Sequence, residues 1–249
     1  MTQDPSSPSA KQQTSAASFD EATQPDAAGP QIAAWPTEPQ QLFLLLPSEP
    51  TLADDWKALA HSLTQHFAQG AVVVLAGPAE IAAPSASHQP ATVASLRQLV
   101  QQWQARAGLD FARTAIIAQG TAASLAMQAV MQHEDICARL FAVGGQLPKQ
   151  ASPIAEHTCL HWLHARDRVT TSAEQAREWG QRLQALDVDF TLDVLESQAA
   201  ATCAPELQQR ILHLLQNHVP RRLWREALAS AGALDSVVQS KDDEPSVLH

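Results

Sequence analysis

The sequence predicts an α/β protein, a mostly parallel sheet with helices on both faces. Two observations carry that expectation. Short β-favouring runs alternate with amphipathic helical stretches through the middle of the chain, as strand–helix–strand units require. The chain also has 249 residues, 45% of them hydrophobic, enough to bury the core of one large α/β domain.

Each element has its own signal. Gln41–Leu46 is an apolar run of buried-strand length. Thr51 with Asp54 then opens a helix on which Leu52, Trp56, Leu59, Leu63 and Phe67 form one stripe. Ala71–Leu75 is a Val-rich strand, and Pro84–Pro90 is a turn-rich loop. The next helix carries Leu96, Leu99, Val100 and Trp103 on one face and stops at Gly108. A strand from Thr114 to Ile117 leads into an Ala/Met/Leu helix. Two more strands are expected near Leu140–Val143 and at Cys159–His164. Ser172 and Gln175 cap a helix ending near Leu186, and Asp189–Leu195 alternates like a strand. Pro205 begins a helix reaching about His218, and Pro220 a shorter final one. No internal repeat is visible.

The ends differ from this pattern. Residues 1–39 hold Pro5, Pro8, Pro25, Pro30, Pro36 and Pro39 among Ser, Thr, Gln and Ala. They offer no apolar face to offset their ordering entropy, and are expected to form a disordered arm. Ile32 and Trp35 are the residues able to pin its last part onto the domain at 40–230. Residues 231–249 form a second loose tail.

Composition narrows the function. Acidic residues outnumber basic ones 26 to 16, for a formal net charge of -10, which argues against a broad nucleic-acid or anionic-membrane surface. Arg221, Arg222 and Arg225 read as one solvated helix face. Cys137, Cys159 and Cys203 are dispersed, as expected of inert thiols in a reducing compartment. The N-terminus starts no apolar signal region and no run approaches the length of a membrane span. A cytoplasmic protein without a membrane span is the expectation.

The most informative stretch is Thr114-Ala115-Ile116-Ile117-Ala118-Gln119-Gly120-Thr121-Ala122-Ala123-Ser124. A β run ending in a sharp turn before a small-residue helix is the layout of a nucleophile elbow. It resembles the α/β-hydrolase superfamily, specifically the small bacterial carboxylesterase and phospholipase family related to acyl-protein thioesterases, whose elbow reads Gly-Phe-Ser-Gln-Gly. Gln119-Gly120 match, Ile116 stands where the first Gly is expected, and Ala118 stands at the nucleophile.

The resemblance implies three further parts. An oxyanion hole is expected from the loop after an early strand, where the family shows His-Gly; here Pro47 and Ser48 occupy it, with Gln119 following the nucleophile position. Pro47 has no N–H to donate. The family's acid falls in Leu163-His164-Ala165-Arg166-Asp167-Arg168-Val169, at Asp167. By its residues alone Asp167 is a loop aspartate flanked by arginines; by its place in the strand–helix order the resemblance makes it the triad acid. The base histidine belongs in Glu196–Pro205, which contains none. The Gly77–Pro90 loop is also too short for the segment that lines the family's acyl pocket.

Substitute chemistry is weakly supported. Ser124 sits in the helix, facing packing or a carbonyl. His157, His161 and His164 do not form a metal set, because His161 and His164 point to opposite faces of a strand. Val143-Gly144-Gly145-Gln146 lacks the Lys-Ser/Thr of a phosphate loop. No metal and no cofactor is expected. The leading expectation is a hydrolase-like protein without a working triad, kept to bind a small acyl ligand or a protein partner, with a homodimer compatible. The alternative is an active ester or thioester hydrolase with a non-standard triad.

Overall fold

The computed structural model describes residues 30–48, 53–75, 92–148, 153–154, 157–165, 173–195 and 203–230. Its strands are β1 (Gln31–Ala34), β2 (Gln41–Leu46), β3 (Gly70–Val74), β4 (Thr114–Gln119), β5 (Arg139–Val143), β6 (Cys159–Ala165) and β7 (Phe190–Leu195). The helices are α1 (Ala53–His66), α2 (Val93–Ala107), α3 (Gly120–Gln132), α4 (Ala173–Ala185) and α5 (Pro205–Asn217), with residues 221–230 forming α6.

The strands make one sheet in the order β1-β3-β2-β4-β5-β6-β7. Every pairing is parallel except that of β1 with β3. A parallel sheet is covered on both faces, so its strands read as continuous apolar runs. Leu42 to Leu46 and Ala71 to Leu75 are accordingly buried without alternation.

The two faces have separate cores. Alternate strand residues such as Leu44, Ile116, Leu140 and Trp162 pack beneath α2, α3 and α4, through Val100, Met127 and Leu183. The intervening residues, among them Leu45, Ile117, Phe141 and Leu163, pack against Trp56 and Leu63 of α1 and Leu207 and Ile211 of α5. α2 is fixed at its start by a capping box between Thr92 and Ser95 and ends at Gly108, as its apolar stripe requires.

Residues 31–34 add an antiparallel edge strand to β3, and Trp35 lies 5.9 Å from Trp103, with the Arg106 guanidinium 5.0 Å from each ring. Such a cation over two aromatic faces contributes about 0.5–1 kcal/mol per contact at exposed sites. Residues 1–29 and 231–249 lie outside the described residues, as do Thr51, Ser172 and the Pro84–Pro90 loop. Arg221 and Arg225 of α6 are exposed and both reach Asp187, at 2.6 and 3.2 Å.

At the other end of the sheet Arg139, the first residue of β5, caps α5. Its guanidinium donates to the carbonyls of Leu214, Leu215 and His218, at 3.1, 2.9 and 3.1 Å. Leu214 O also takes the His218 N–H, at 3.1 Å; Leu215 O and His218 O lie at and beyond the last turn, and a cation there also meets the negative pole of the helix. Arg139→Met keeps much of the stem and removes all three bonds. Since hydrogen bonds to a charged group contribute about 1.5–3 kcal/mol each and part is recovered by water, the variant is expected to lose about 2–4 kcal/mol. Urea unfolding checks this; a loss below about 0.5 kcal/mol would contradict the capping role.

Candidate functional site

The C-terminal ends of β2, β4 and β5 meet at the start of α3, where an open parallel sheet places its ligand crevice. Ala118 is fully buried within the ladder, level with Leu46 on one side and Ala142 on the other. Gln119 continues the strand, at φ -121 and ψ 144, level with Val143. The chain turns at Gly120, whose φ is +56.

The sequence pattern sets the tip of the turn at Ala118; the backbone sets it two residues later. Ala118 and Gln119 can both extend the ladder, whereas the left-handed corner costs a side-chain-bearing residue about 1–2 kcal/mol and favours glycine. Ile116 lies deeper still, in mid-strand between Leu44 and Leu140, wholly buried.

Pro47 and Ser48 follow β2, the first buried and the second half-buried. Ser48 covers the corner: a Cβ built on Gly120 would meet Ser48 Cβ at 3.1 Å and its Oγ at 3.6 Å. Two candidate oxyanion positions therefore have defined surroundings. Pro47 supplies no N–H, and the Gln119 side chain is buried while its backbone remains part of the strand.

The other wall is the loop after β5. Gly145, at φ +81, runs so close to α3 that an added Cβ would lie 3.0 Å from both Gly120 O and Ser124 N. Ser124 uses this proximity. Its hydroxyl donates to Gly120 O at 3.2 Å and accepts the Gln146 N–H at 2.8 Å. The serine faces a carbonyl, as its place in the helix suggests. On the far side Trp162 Nε1 donates to Gly144 O at 3.0 Å, and the indole stacks on Trp179 at 4.9 Å. The loop is thus tied to β6 and to α3 at once.

Asp167, the acid position of the resemblance, lies outside the described residues, as does the 196–202 part of the run where a base histidine is expected. Among the described residues the histidines are elsewhere. His157 is exposed, His164 is buried on the α4 face, and His161 is buried on the α5 face beside Phe141. His161 has company that spacing within β6 partly signals: Cys159, two residues earlier, shares its face. Cys159 Sγ lies 3.7 Å from His161 Nε2 and 3.4 Å from His218 Nε2. Burial pushes the Cys159 thiol up and holds His161 neutral, its pKa pushed down to about 3.

No protein-family model matches the sequence, and no curated protein matches it either. Solved structures do match. Esterase PE8 is 15% identical over 73% of this chain and 94% of its own, with a TM-score of 0.55. A phospholipase/carboxylesterase from Dyadobacter fermentans is 14% identical over 74% and 94%, with a TM-score of 0.54. The carboxylesterase of Bacillus cereus is 10% identical over 69% and 88%, with a TM-score of 0.51.

The loop contact yields a paired test. Gly145→Ala forces a Cβ into the α3 backbone and a strained φ together, whereas Gly144→Ala meets no atom within 4 Å and bears only the strain of φ +68. With about 1–2 kcal/mol for the backbone and about 1–3 kcal/mol for overpacking, Gly145→Ala should be the more destabilising variant by at least about 1 kcal/mol. Equal midpoints in urea would contradict the close approach. The sheet order, the helices on both faces and these structural matches agree: the chain has the α/β-hydrolase fold.

Proposed function

We propose that this chain is a catalytically impaired α/β-hydrolase homologue that binds a small acyl ligand or a protein partner without turning it over. The observation that carries this reading is the corner itself. A nucleophile elbow holds its nucleophile on the strained residue between strand and helix, and that residue here is Gly120, which has no side chain. Whether the family's register is placed on Ala118 or on Gly120, a methyl group or a hydrogen stands at the nucleophile. The Glu196–Pro205 run, where the resemblance expects the base, has no histidine. Nucleophile and base act as a unit, so losing both removes most of the rate enhancement. Pro47 weakens the oxyanion site further, a contribution worth about 3–4 kcal/mol where one donor has been removed from a working enzyme.

One observation favours a second reading, an active ester or thioester hydrolase. Ser48 Oγ lies within 3.6 Å of the Cβ position that Gly120 lacks, so a hydroxyl does reach the corner from the neighbouring loop. It needs a base to be a nucleophile at neutral pH. The composition and the lack of any described helix long and apolar enough to cross a membrane support a cytoplasmic setting, and a homodimer is compatible with it.

Purified protein is expected to hydrolyse short p-nitrophenyl esters no faster than a heat-denatured control. Gly120→Ser and Ala118→Ser should each fail to restore turnover: the first serine has no base and meets Ser48, and the second is sealed in the ladder. A titratable burst from the unaltered protein would defeat the proposal, and a burst confined to Gly120→Ser would show that a base is in place.

A further inference from the structure

A second group of chemically capable residues lies at the opposite end of the sheet from the corner. Cys159 and His161 stand at the start of β6, and His218 follows the last turn of α5. Among the described residues, these three offer one sulfur and two ring nitrogens, all within 4.8 Å of one another. We propose that Cys159, His161 and His218 form a three-ligand binding site for zinc or a similar divalent cation, unconnected with ester chemistry.

The dimensions fit. Tetrahedral zinc with Zn–S of about 2.3 Å and Zn–N of about 2.0–2.1 Å sets sulfur and nitrogen ligands about 3.6 Å apart. The two Sγ···Nε2 separations are 3.7 and 3.4 Å. The rings meet edge to face, with centroids 4.8 Å apart, and the half-buried His218 can rotate to close the remaining edge.

The outer contacts suit the role. A ligating histidine usually passes its other N–H to a nearby oxygen, which fixes the tautomer. His161 Nδ1 is 2.9 Å from Thr191 Oγ1, and with Thr191 accepting there, Nε2 presents its lone pair to the sulfur. With His218 in the same tautomer, two lone pairs face one thiol that has a single proton to give. A cation satisfies both nitrogens and the sulfur together.

Charge is balanced as well. Asp189 interacts with the Cys159 thiol, and its Oδ2 accepts the Arg221 N–H at 2.8 Å. A thiolate and a carboxylate neutralise a divalent ion. On binding, the Cys159 S–H bond breaks, its electron pair goes to the metal and its proton to water. Arg139, Arg210 and Arg221 face the cluster too and oppose a cation; Arg139 donates to the α5 carbonyls, Arg210 pairs with Asp193 and Arg221 with Asp187. Asp189 also lines a cleft of about 250 Å³ with His157, Asp187 and Arg222. Three protein ligands leave the fourth position of a tetrahedral ion to water. The ion would clasp the end of α5 to β6.

Cobalt reports the sulfur directly. Metal-free full-length protein titrated with Co²⁺ is expected to develop a near-ultraviolet thiolate-to-cobalt band and the intense visible bands of tetrahedral cobalt, saturating at one equivalent and displaced by Zn²⁺. Cys159→Ser should abolish the near-ultraviolet band. His218→Gln, at a half-buried position that tolerates change, should weaken Zn²⁺ binding at least tenfold and remove the rise in melting temperature that zinc gives the unaltered protein. His213→Gln, on the exposed side of α5, should change neither. No sulfur-to-cobalt band in the unaltered protein, or one that survives Cys159→Ser, would overturn the proposal. If Cys159→Ser does not fold, the zinc affinity of His218→Gln decides: equal affinity overturns it.

Discussion

The C-terminal edge of the sheet is organised by the near-contact between the loop after β5 and the first turn of α3. Gly145 passes close enough that no side chain fits between them, and the spacing is what lets one hydroxyl, that of Ser124, bridge Gly120 O and the Gln146 N–H. Trp162 then secures Gly144 from the β6 side. Because the fully buried Trp162 stacks on Trp179 of α4, the corner is coupled to the core of one whole face. Packing holds the corner rigid; nothing in that packing calls for a nucleophile.

This separation of scaffold from chemistry underlies the functional proposal. A strand-to-helix corner needs a residue that tolerates positive φ, and a catalytic serine in that place is held under strain that the surrounding fold must offset. Glycine relieves the strain. Once the hydroxyl is gone, the oxyanion donors and the base have no reaction to serve, and Pro47 can stand where a donor would have been. The same fold hosts many functions, so the site has to carry the argument.

Much of the fold was legible because parallel strands buried on both faces are written as unbroken apolar runs, as in Gln41–Leu46 and Ala71–Leu75. Helix ends were legible where they carry local signals, such as Gly108 and Pro205. β1 was hidden, since Gln31–Ala34 is four residues of mixed polarity whose pairing partner β3 is about 40 positions away. The corner was harder to place, because Ala118, Gln119 and Gly120 each resemble an elbow residue, and the positive φ falls on Gly120. The Cys159, His161 and His218 cluster was half legible. Cys-x-His on a strand puts two ligands on one face, but His218 arrives from the end of α5, 59 residues away from Cys159, and no periodicity links them.

On the proposed function no residue at the corner acts as a nucleophile, and covalent labelling tests this directly. The unaltered protein should be incubated with an excess of a fluorophosphonate probe, then measured by intact mass and peptide mapping. The mass should stay unchanged, with no modified peptide. Stoichiometric addition of one phosphonyl group, mapped to Ser48 and abolished by Ser48→Ala, would contradict the proposed function and establish a working nucleophile on the loop after β2.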